Sequence, residues 1–90
     1  MVELRCIISG NVQGVGFRAY VEDSATALNL KGWVKNHQNG TVEVVAQGTP
    51  DILKEFIEYL NEGSLLSTVA GLDVEWSDAK VTFGDFSVLH

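Results

Sequence analysis

The segment Ser9-Gly10-Asn11-Val12-Gln13-Gly14-Val15-Gly16-Phe17-Arg18 marks the point at which the hydrophobic pattern of the chain changes. Before it, apolar side chains alternate with others from Val2 to Ile8, which predicts a β-strand with one buried face. After it, apolar residues recur every three or four positions from Phe17 to about Asn29, which predicts an amphipathic helix. The segment is therefore predicted to be a glycine-containing turn between a strand and a helix.

The middle of the chain predicts a hairpin followed by a second helix. Gly32 to Asn36 is a short strand, and Asn39-Gly40 favours the tight turn that leads to a return strand over Thr41 to Gln47. Thr49-Pro50-Asp51 has the residue types of a helix N-terminus: a cap, a proline in the first turn and an acidic residue. The apolar stripe that follows is expected to end at Gly63.

Two more strands complete the pattern. Leu72, Val74 and Trp76 alternate on one predicted face, where Trp76 is expected in the core, and Val81 to Leu89 predicts a last strand. The order of elements indicates an α+β, ferredoxin-like βαββαβ fold, an antiparallel sheet of about five strands with two helices on one face. Residues 1–90 form a single domain in this prediction.

Composition limits the possible partners. The 90 residues carry a formal net charge of −6, so the basic face that nucleic acids require is not expected. No apolar stretch approaches a membrane span, and no signal peptide is recognisable. With Cys6 as the lone cysteine and no apolar excess beyond the core, we predict a cytoplasmic monomer. Because His37 and His90 lie far apart and the acidic residues are scattered, neither a metal nor another cofactor is expected.

The loop from Gln13 to Arg18 is suited to an anion. Backbone N–H groups at a helix N-terminus are unpaired, and the helix dipole favours negative charge there. Gly14 and Gly16 allow successive N–H groups to converge, and the planar Arg18 guanidinium matches two phosphate oxygens. From these residues alone, an anion site and a simple turn are about equally good interpretations.

Two motifs together resemble the signatures of the acylphosphatase family. Gly10 with Val12-Gln13-Gly14-Val15-Gly16-Phe17-Arg18 is similar to the first signature, G-x-V-Q-G-V-x-F-R. Gly32-Trp33-Val34-Lys35-Asn36, followed by Asn39-Gly40-Thr41-Val42-Glu43, is similar to the second, and Asp85-Phe86-Ser87-Val88 resembles the family's ending. The resemblance spans essentially the whole chain, with the motifs in the family's order and spacing.

This resemblance implies an enzyme that hydrolyses the carboxyl–phosphate bond of acyl phosphates to a carboxylate and inorganic phosphate. It implies that Arg18 and Asn36 are catalytic, Arg18 by binding the phosphoryl group and Asn36 by positioning the attacking water. It further implies a phosphate-binding loop of six residues, which would also take free phosphate or sulfate: Gln13, Gly14, Val15, Gly16, Phe17 and Arg18.

Three departures from the family pattern are expected to affect affinity and rate rather than the type of reaction. Asn11 stands where the family often has arginine or histidine, and His37 stands where some members have threonine or serine. The segment Ser64 to Ala70 lacks an arginine often found there. We interpret His37 as a solvent-exposed turn residue rather than a catalytic one.

Two alternative functions remain in view. The first is a binding module that recognises a phosphate-like anion without turnover, as in larger maturation proteins that carry such a domain. The second is an RNA-binding module, since such modules share this topology. The acidic charge and the lack of paired aromatic residues flanked by basic ones on the outward strand faces argue against RNA.

Overall fold

The computed structural model describes residues 1–90 as two helices and one five-stranded sheet. The helices are α1 (Phe17–Ala27) and α2 (Pro50–Glu62). The strands are β1 (Val2–Asn11), β2 (Lys31–Asn36), β3 (Val42–Gly48), β4 (Thr68–Asp78) and β5 (Phe86–Leu89). The strand order across the sheet is β4-β1-β3-β2-β5. The predicted ferredoxin-like βαββαβ plan is confirmed.

The sheet is antiparallel except at one edge. β1 pairs antiparallel with both β3 and β4, and β2 pairs antiparallel with β3, whereas β5 runs parallel to β2. The exception arises because the chain leaves β4 at one edge, reverses direction and crosses the sheet to reach the other edge. The sheet is therefore mixed, where the sequence predicted antiparallel pairing alone.

The core lies between one face of the sheet and the two helices. Alternate residues of the inner strands are fully buried there, as the period of two predicts. The strand residues are Leu4, Cys6, Ile8, Val34, Val42, Val44 and Ala46, and the helix residues are Phe17, Val21, Ala25, Leu53, Phe56 and Leu60. We call the opposite side of the sheet, which no helix covers, the open face.

Two sequence predictions at the C-terminal side of the chain are wrong. Only Phe86–Leu89 forms a strand, whereas residues 81–85 lie over the open face, where Gln47 bonds to the Val81 carbonyl and the Phe83 N–H. Trp76 is 42% exposed rather than in the core. It points to the helix side, but β4 is an edge strand, and the helices cover mainly the strands inside it.

The N-terminus of α2 follows its prediction in part. Pro50 occupies the first turn together with Asp51, and Thr49 is the cap residue with an extended backbone. The Thr49 side chain makes no capping hydrogen bond; its carbonyl accepts the Leu53 N–H instead at 3.0 Å.

No helix of the chain is long and apolar enough to span a membrane.

A matched pair of leucine substitutions tests the position of the core. Leu53→Ala removes a side chain that is 0% exposed, so the free energy of unfolding should fall by about 2–5 kcal/mol. Leu65→Ala removes one that is 98% exposed and should change it by less than about 0.5 kcal/mol. Urea denaturation measures both; equal losses would contradict this assignment of the core.

Cys6 should be chemically silent in the folded protein. Burial raises the pKa of its thiol from 9.0 to about 12, so the nucleophilic thiolate is scarce. We expect native protein at pH 8 to react with an aromatic disulfide reagent only as fast as it unfolds, and urea-unfolded protein to react at once. Rapid labelling of the native protein would contradict burial of Cys6.

The same raised pKa gives a pH dependence of stability. The folded state favours the neutral thiol, so its contribution is complete below pH 9.0 and is lost as pH rises toward about 12. Cys6→Ala should lack this decline. The urea concentration at the midpoint of unfolding, measured at pH 8 and at pH 10.5 for both proteins, gives the loss of stability of each. An equal loss in the two proteins would contradict the raised pKa of Cys6.

Candidate active site

The loop between β1 and α1 contains the two glycines on which the predicted anion site depends. Gly14 and Gly16 both have left-handed conformations, with φ of +73° and +76°. A side-chain carbon at either position would meet no atom within 4 Å, so glycine serves conformation here rather than close packing. Gly16 is also the N-cap residue of α1, where no side chain makes a capping bond.

The amides of this loop and of the first turn of α1 are available to a ligand. No backbone N–H from Gln13 to Ala19 donates a hydrogen bond to another backbone group; the first to do so is that of Tyr20, to the Gly16 carbonyl at 3.1 Å. Unpaired amides at the positive end of a helix dipole favour an anion. These unpaired N–H groups are the donors that the sequence-based interpretation of the loop as an anion site requires.

Arg18 is held beside this loop by the end of the chain. One of its terminal guanidinium nitrogens donates to the Leu89 carbonyl at 3.1 Å and lies 3.3 Å from His90 Nδ1. Leu89 is the last residue of β5 and His90 follows it; the parallel pairing of β5 with β2 brings both to the same end of the sheet. The guanidinium has further N–H groups for a ligand, because arginine carries five.

Asn36 is the last residue of β2 and pairs with Val42 of β3. Since Val34 is buried on the helix side, alternation directs Asn36 to the same side, toward the N-terminal end of α1. Its side-chain Oδ1 is buried and has no hydrogen-bond partner in the chain. A buried amide oxygen without a partner costs free energy, which a bound water or ligand group would offset.

The loop glycines, Arg18 and Asn36 line one cleft of about 290 Å³. Its lining combines the loop glycines, the guanidinium and the amide with a hydrophobic floor: Val12, Gly14, Gly16, Phe17, Arg18, Ala19, Glu22, Asn36, Val88 and His90. The volume suits a phosphoryl group with a small organic substituent. No group of three or more histidine, cysteine or acidic residues is arranged to hold a metal ion.

Gln13 belongs to the loop, but its side chain points away from the cleft. Its Nε2 donates to the carbonyls of His37 and Thr41, at 2.7 and 2.9 Å, and so joins the loop to the β2–β3 turn. The side-chain Nε2 of Gln13 is therefore engaged, and its backbone N–H remains as a donor to an anion. Val15 is half-buried and does not line the cleft either.

The sequence did not identify Glu22, Val88 and His90 as lining residues. Glu22 lies one helical turn after Arg18, so the spacing of four residues could have indicated it. Nothing local indicates Val88 and His90, which reach the cleft only through the pairing of β5 with β2. Lys35, which follows the opposite alternation from Asn36, lies outside the cleft.

His37 is not simply a solvent-exposed turn residue. Its Nε2 lies 2.6 Å from Oε1 of Glu43, whose other oxygen, Oε2, lies 2.6 Å from Nε of Arg5. The Glu43 side chain is 8% exposed and that of His37 is 37% exposed. This network is on the open face, on the other side of the sheet from the cleft, so His37 does not contact a ligand bound there.

Comparison with known proteins agrees with this geometry. The acylphosphatase family model matches residues 4–88. An acylphosphatase of Bacillus velezensis is 40% identical over 90 residues, which is 100% of both chains. The crystal structure of acylphosphatase from Bacillus subtilis is 39% identical, covers 100% of both chains and has a TM-score of 0.97. Full-length HypF, in a phosphate- and nucleotide-bound crystal structure, is 30% identical with a TM-score of 0.84; the match covers 100% of this chain and 12% of that one.

The family match over nearly the whole chain, the similarity to full-length relatives and the loop–arginine–asparagine cleft agree with one another. This chain belongs to the acylphosphatase family.

Proposed function

We propose that this chain hydrolyses the carboxyl–phosphate bond of small acyl phosphates in the cleft between the β1–α1 loop and the end of β2. The observation that carries the proposal is the placement of Arg18, the unpaired amides and Asn36 around one space. The identity of about 40% with full-length acylphosphatases supports the same reaction.

The phosphoryl group would lie on the loop. Its equatorial oxygens accept hydrogen bonds from the unpaired amides between Gln13 and Ala19 and from the Arg18 guanidinium. The contacts of Arg18 with Leu89 and His90 keep the guanidinium at the cleft and reduce the freedom it loses on binding. These groups also stabilise the charge that spreads over the phosphoryl oxygens in the transition state.

Asn36 would hold the attacking water. Its buried Oδ1 without a partner can accept a hydrogen bond from that water, which directs a lone pair of the water oxygen toward phosphorus. Holding water in line in this way lowers the entropic part of the barrier. The role needs an uncharged amide, which does not repel the phosphoryl oxygens.

The reaction needs few catalytic groups because a carboxylate is a good leaving group. The water oxygen forms a bond to phosphorus while the bond from phosphorus to the acyl oxygen breaks, and that electron pair leaves on the carboxylate. The proton lost by the water passes to a phosphoryl oxygen, so no side chain must act as general base. Positioning and charge stabilisation supply the rate enhancement.

A second candidate function is an anion-binding domain without turnover. The similarity to HypF favours it, because the matched region there is 12% of a longer chain. Hydrolysis of benzoyl phosphate, followed by loss of its absorbance, separates the two functions: the proposed enzyme turns it over, and a binding domain only binds phosphate.

We also propose that the protein is a cytoplasmic monomer. The exposed edge strand β4 carries Asp73, Glu75 and Asp78, and pairing of this edge with a second copy would bring like charges together. A lone buried thiol is consistent with a reducing compartment.

Inorganic phosphate should inhibit benzoyl phosphate hydrolysis competitively, since the product's phosphoryl oxygens would occupy the same amides and guanidinium. Sulfate should act in the same way. Initial rates at several concentrations of substrate and inhibitor measure this. A noncompetitive pattern, or no inhibition at high millimolar phosphate, would place the anion site elsewhere.

Arg18→Ala should weaken phosphate binding and also lower kcat, because the guanidinium contacts the phosphoryl group before and during the reaction. We expect at least a tenfold loss of affinity, about 1.4 kcal/mol. Arg18→Lys should not restore it, because an ammonium cannot contact two oxygens in one plane. Lys54→Ala, which removes an exposed positive charge outside the cleft, is the matched control and should leave both quantities unchanged.

Asn36→Ala should lower kcat at least a hundredfold, about 2.7 kcal/mol of transition-state stabilisation, with phosphate affinity nearly unchanged. The reason is that Asn36 contacts the water rather than the phosphoryl group. Kinetics and phosphate calorimetry on the folded variant measure the two effects, with the exposed Asn61→Ala as control. If Asn36→Ala loses phosphate binding as Arg18→Ala does, or keeps its turnover, this division of roles is wrong.

A further inference from the structure

We infer that His37 and Glu43 are positioning residues, and that their contact on the open face holds Asn36 in place on the other side of the sheet. The inference rests on the proposed function, because it concerns the residue assigned there to the attacking water. Neither side chain lines the cleft.

Glu43 supplies a fixed anchor. It belongs to β3, the central strand, and is only 6% exposed although no helix covers the open face. Its two oxygens are each engaged, Oε1 by His37 and Oε2 by Arg5, both at 2.6 Å. A buried carboxylate is tolerated only with such partners, so its orientation is well determined.

His37 links that anchor to the turn after β2. Its N–H donates to the Thr41 carbonyl at 2.9 Å, and its carbonyl accepts the Gln13 amide and, at 3.1 Å, the Gly40 N–H. The backbone bonds close the turn upon itself. The bond to Glu43 is the contact that ties the His37 side chain to the central strand.

The orientation of the Asn36 side chain depends on the contact between His37 and Glu43, because the chain offers no hydrogen-bond partner to the buried Asn36 oxygen. Its Oδ1 has no partner in the chain, so packing and the position of its backbone set the direction of the amide. The backbone of Asn36 is joined directly to His37, whose side chain lies on the opposite face of the sheet. A shift of His37 therefore rotates Asn36, and misplacement of a reacting group by about 1 Å costs up to a hundredfold in rate.

The position of the phosphate-binding loop should depend less than that of Asn36 on the contact between His37 and Glu43. Gln13 bonds to the carbonyls of both His37 and Thr41, so one bond remains if His37 moves. Loss of the His37–Glu43 contact should thus lower turnover more than it lowers phosphate affinity.

The test compares His37→Ala with His37→Arg and with a matched control, Gln47→Met. Gln47 is a buried polar residue of the same strand and face as Glu43, but it bonds to Glu3, Val81 and Phe83, at the end of the sheet remote from the cleft. Both His37→Ala and Gln47→Met should lower the melting temperature. Only His37→Ala should lower kcat for benzoyl phosphate, by about tenfold, with the inhibition constant of phosphate changed less than about twofold.

His37→Arg should restore most of kcat, because a guanidinium N–H can again donate to Glu43. The inference is overturned if His37→Ala keeps full kcat, if Gln47→Met lowers kcat equally, or if His37→Arg is no better than His37→Ala.

A second readout does not depend on turnover. The ¹⁵N-resolved side-chain amide signal of Asn36 in phosphate-saturated protein should shift in His37→Ala and return toward its original position in His37→Arg, while Gln47→Met leaves it in place. An unmoved signal in His37→Ala overturns the inference. Absence of benzoyl phosphate hydrolysis by the unmodified protein overturns the proposed function instead, and the two failures are thereby distinguished.

Discussion

Burial of β3 on both faces is the constraint on which the rest of the structure depends. This strand lies at the centre of the sheet, between β1 and β2, and its residues from Val42 to Gln47 are all buried. On the helix side its side chains are apolar and join the core. On the open face, Glu43 and Gln47 are buried polar groups that must find partners. Each does so by contacting separate segments. Glu43 pairs with Arg5 and with His37 in the β2–β3 turn, whereas Gln47 is hydrogen-bonded to Glu3 and to the connection between β4 and β5.

The position of the cleft follows from the same arrangement. β1 and β2 run in the same direction on the two sides of β3, so the end of β1 with its glycine loop and the end of β2 with Asn36 lie at one end of the sheet. α1 begins there and presents its unpaired amides. β5, parallel to β2, brings Leu89 and His90 to the same end, within hydrogen-bond distance of Arg18. The lining of the cleft thus comes from the loop after β1 and from α1, β2 and the C-terminal end of the chain at β5, which the sheet brings to one end.

In the proposed function, the two faces of the sheet have different roles. The helix-side face at this end carries Asn36 and the amides, where a substrate can lie against a hydrophobic floor. The open face carries a network of charged and amide groups that does not line the cleft. Because adjacent residues of a strand point to opposite faces, a single peptide bond joins Asn36, which lines the cleft, to His37, which belongs to the open-face network.

The sequence by itself determined the order and type of the elements, because alternation, helical spacing and turn residues are local properties. It also indicated the loop from Gln13 to Arg18 and Asn36 as candidate site residues. Both lie in short motifs that can be recognised without knowing which distant residues pack beside them. It did not determine the parallel pairing of β5, the exposure of Trp76, or the length of the last strand. Those depend on which strands become edges, a property of the assembled sheet.

Tertiary structure alone decided which side chains meet at the cleft and behind it. His90 reaches Arg18 across 72 positions of sequence, and Gln13 reaches His37 across 24, so no spacing rule could have paired them. The partnership of His37 with Glu43 is close in sequence, but it matters only because β3 is buried at the centre of the sheet. A carboxylate on an exposed strand would have stayed in water, whereas Glu43 at the sheet centre must bind its neighbours, and one of these is His37, in the turn beside Asn36.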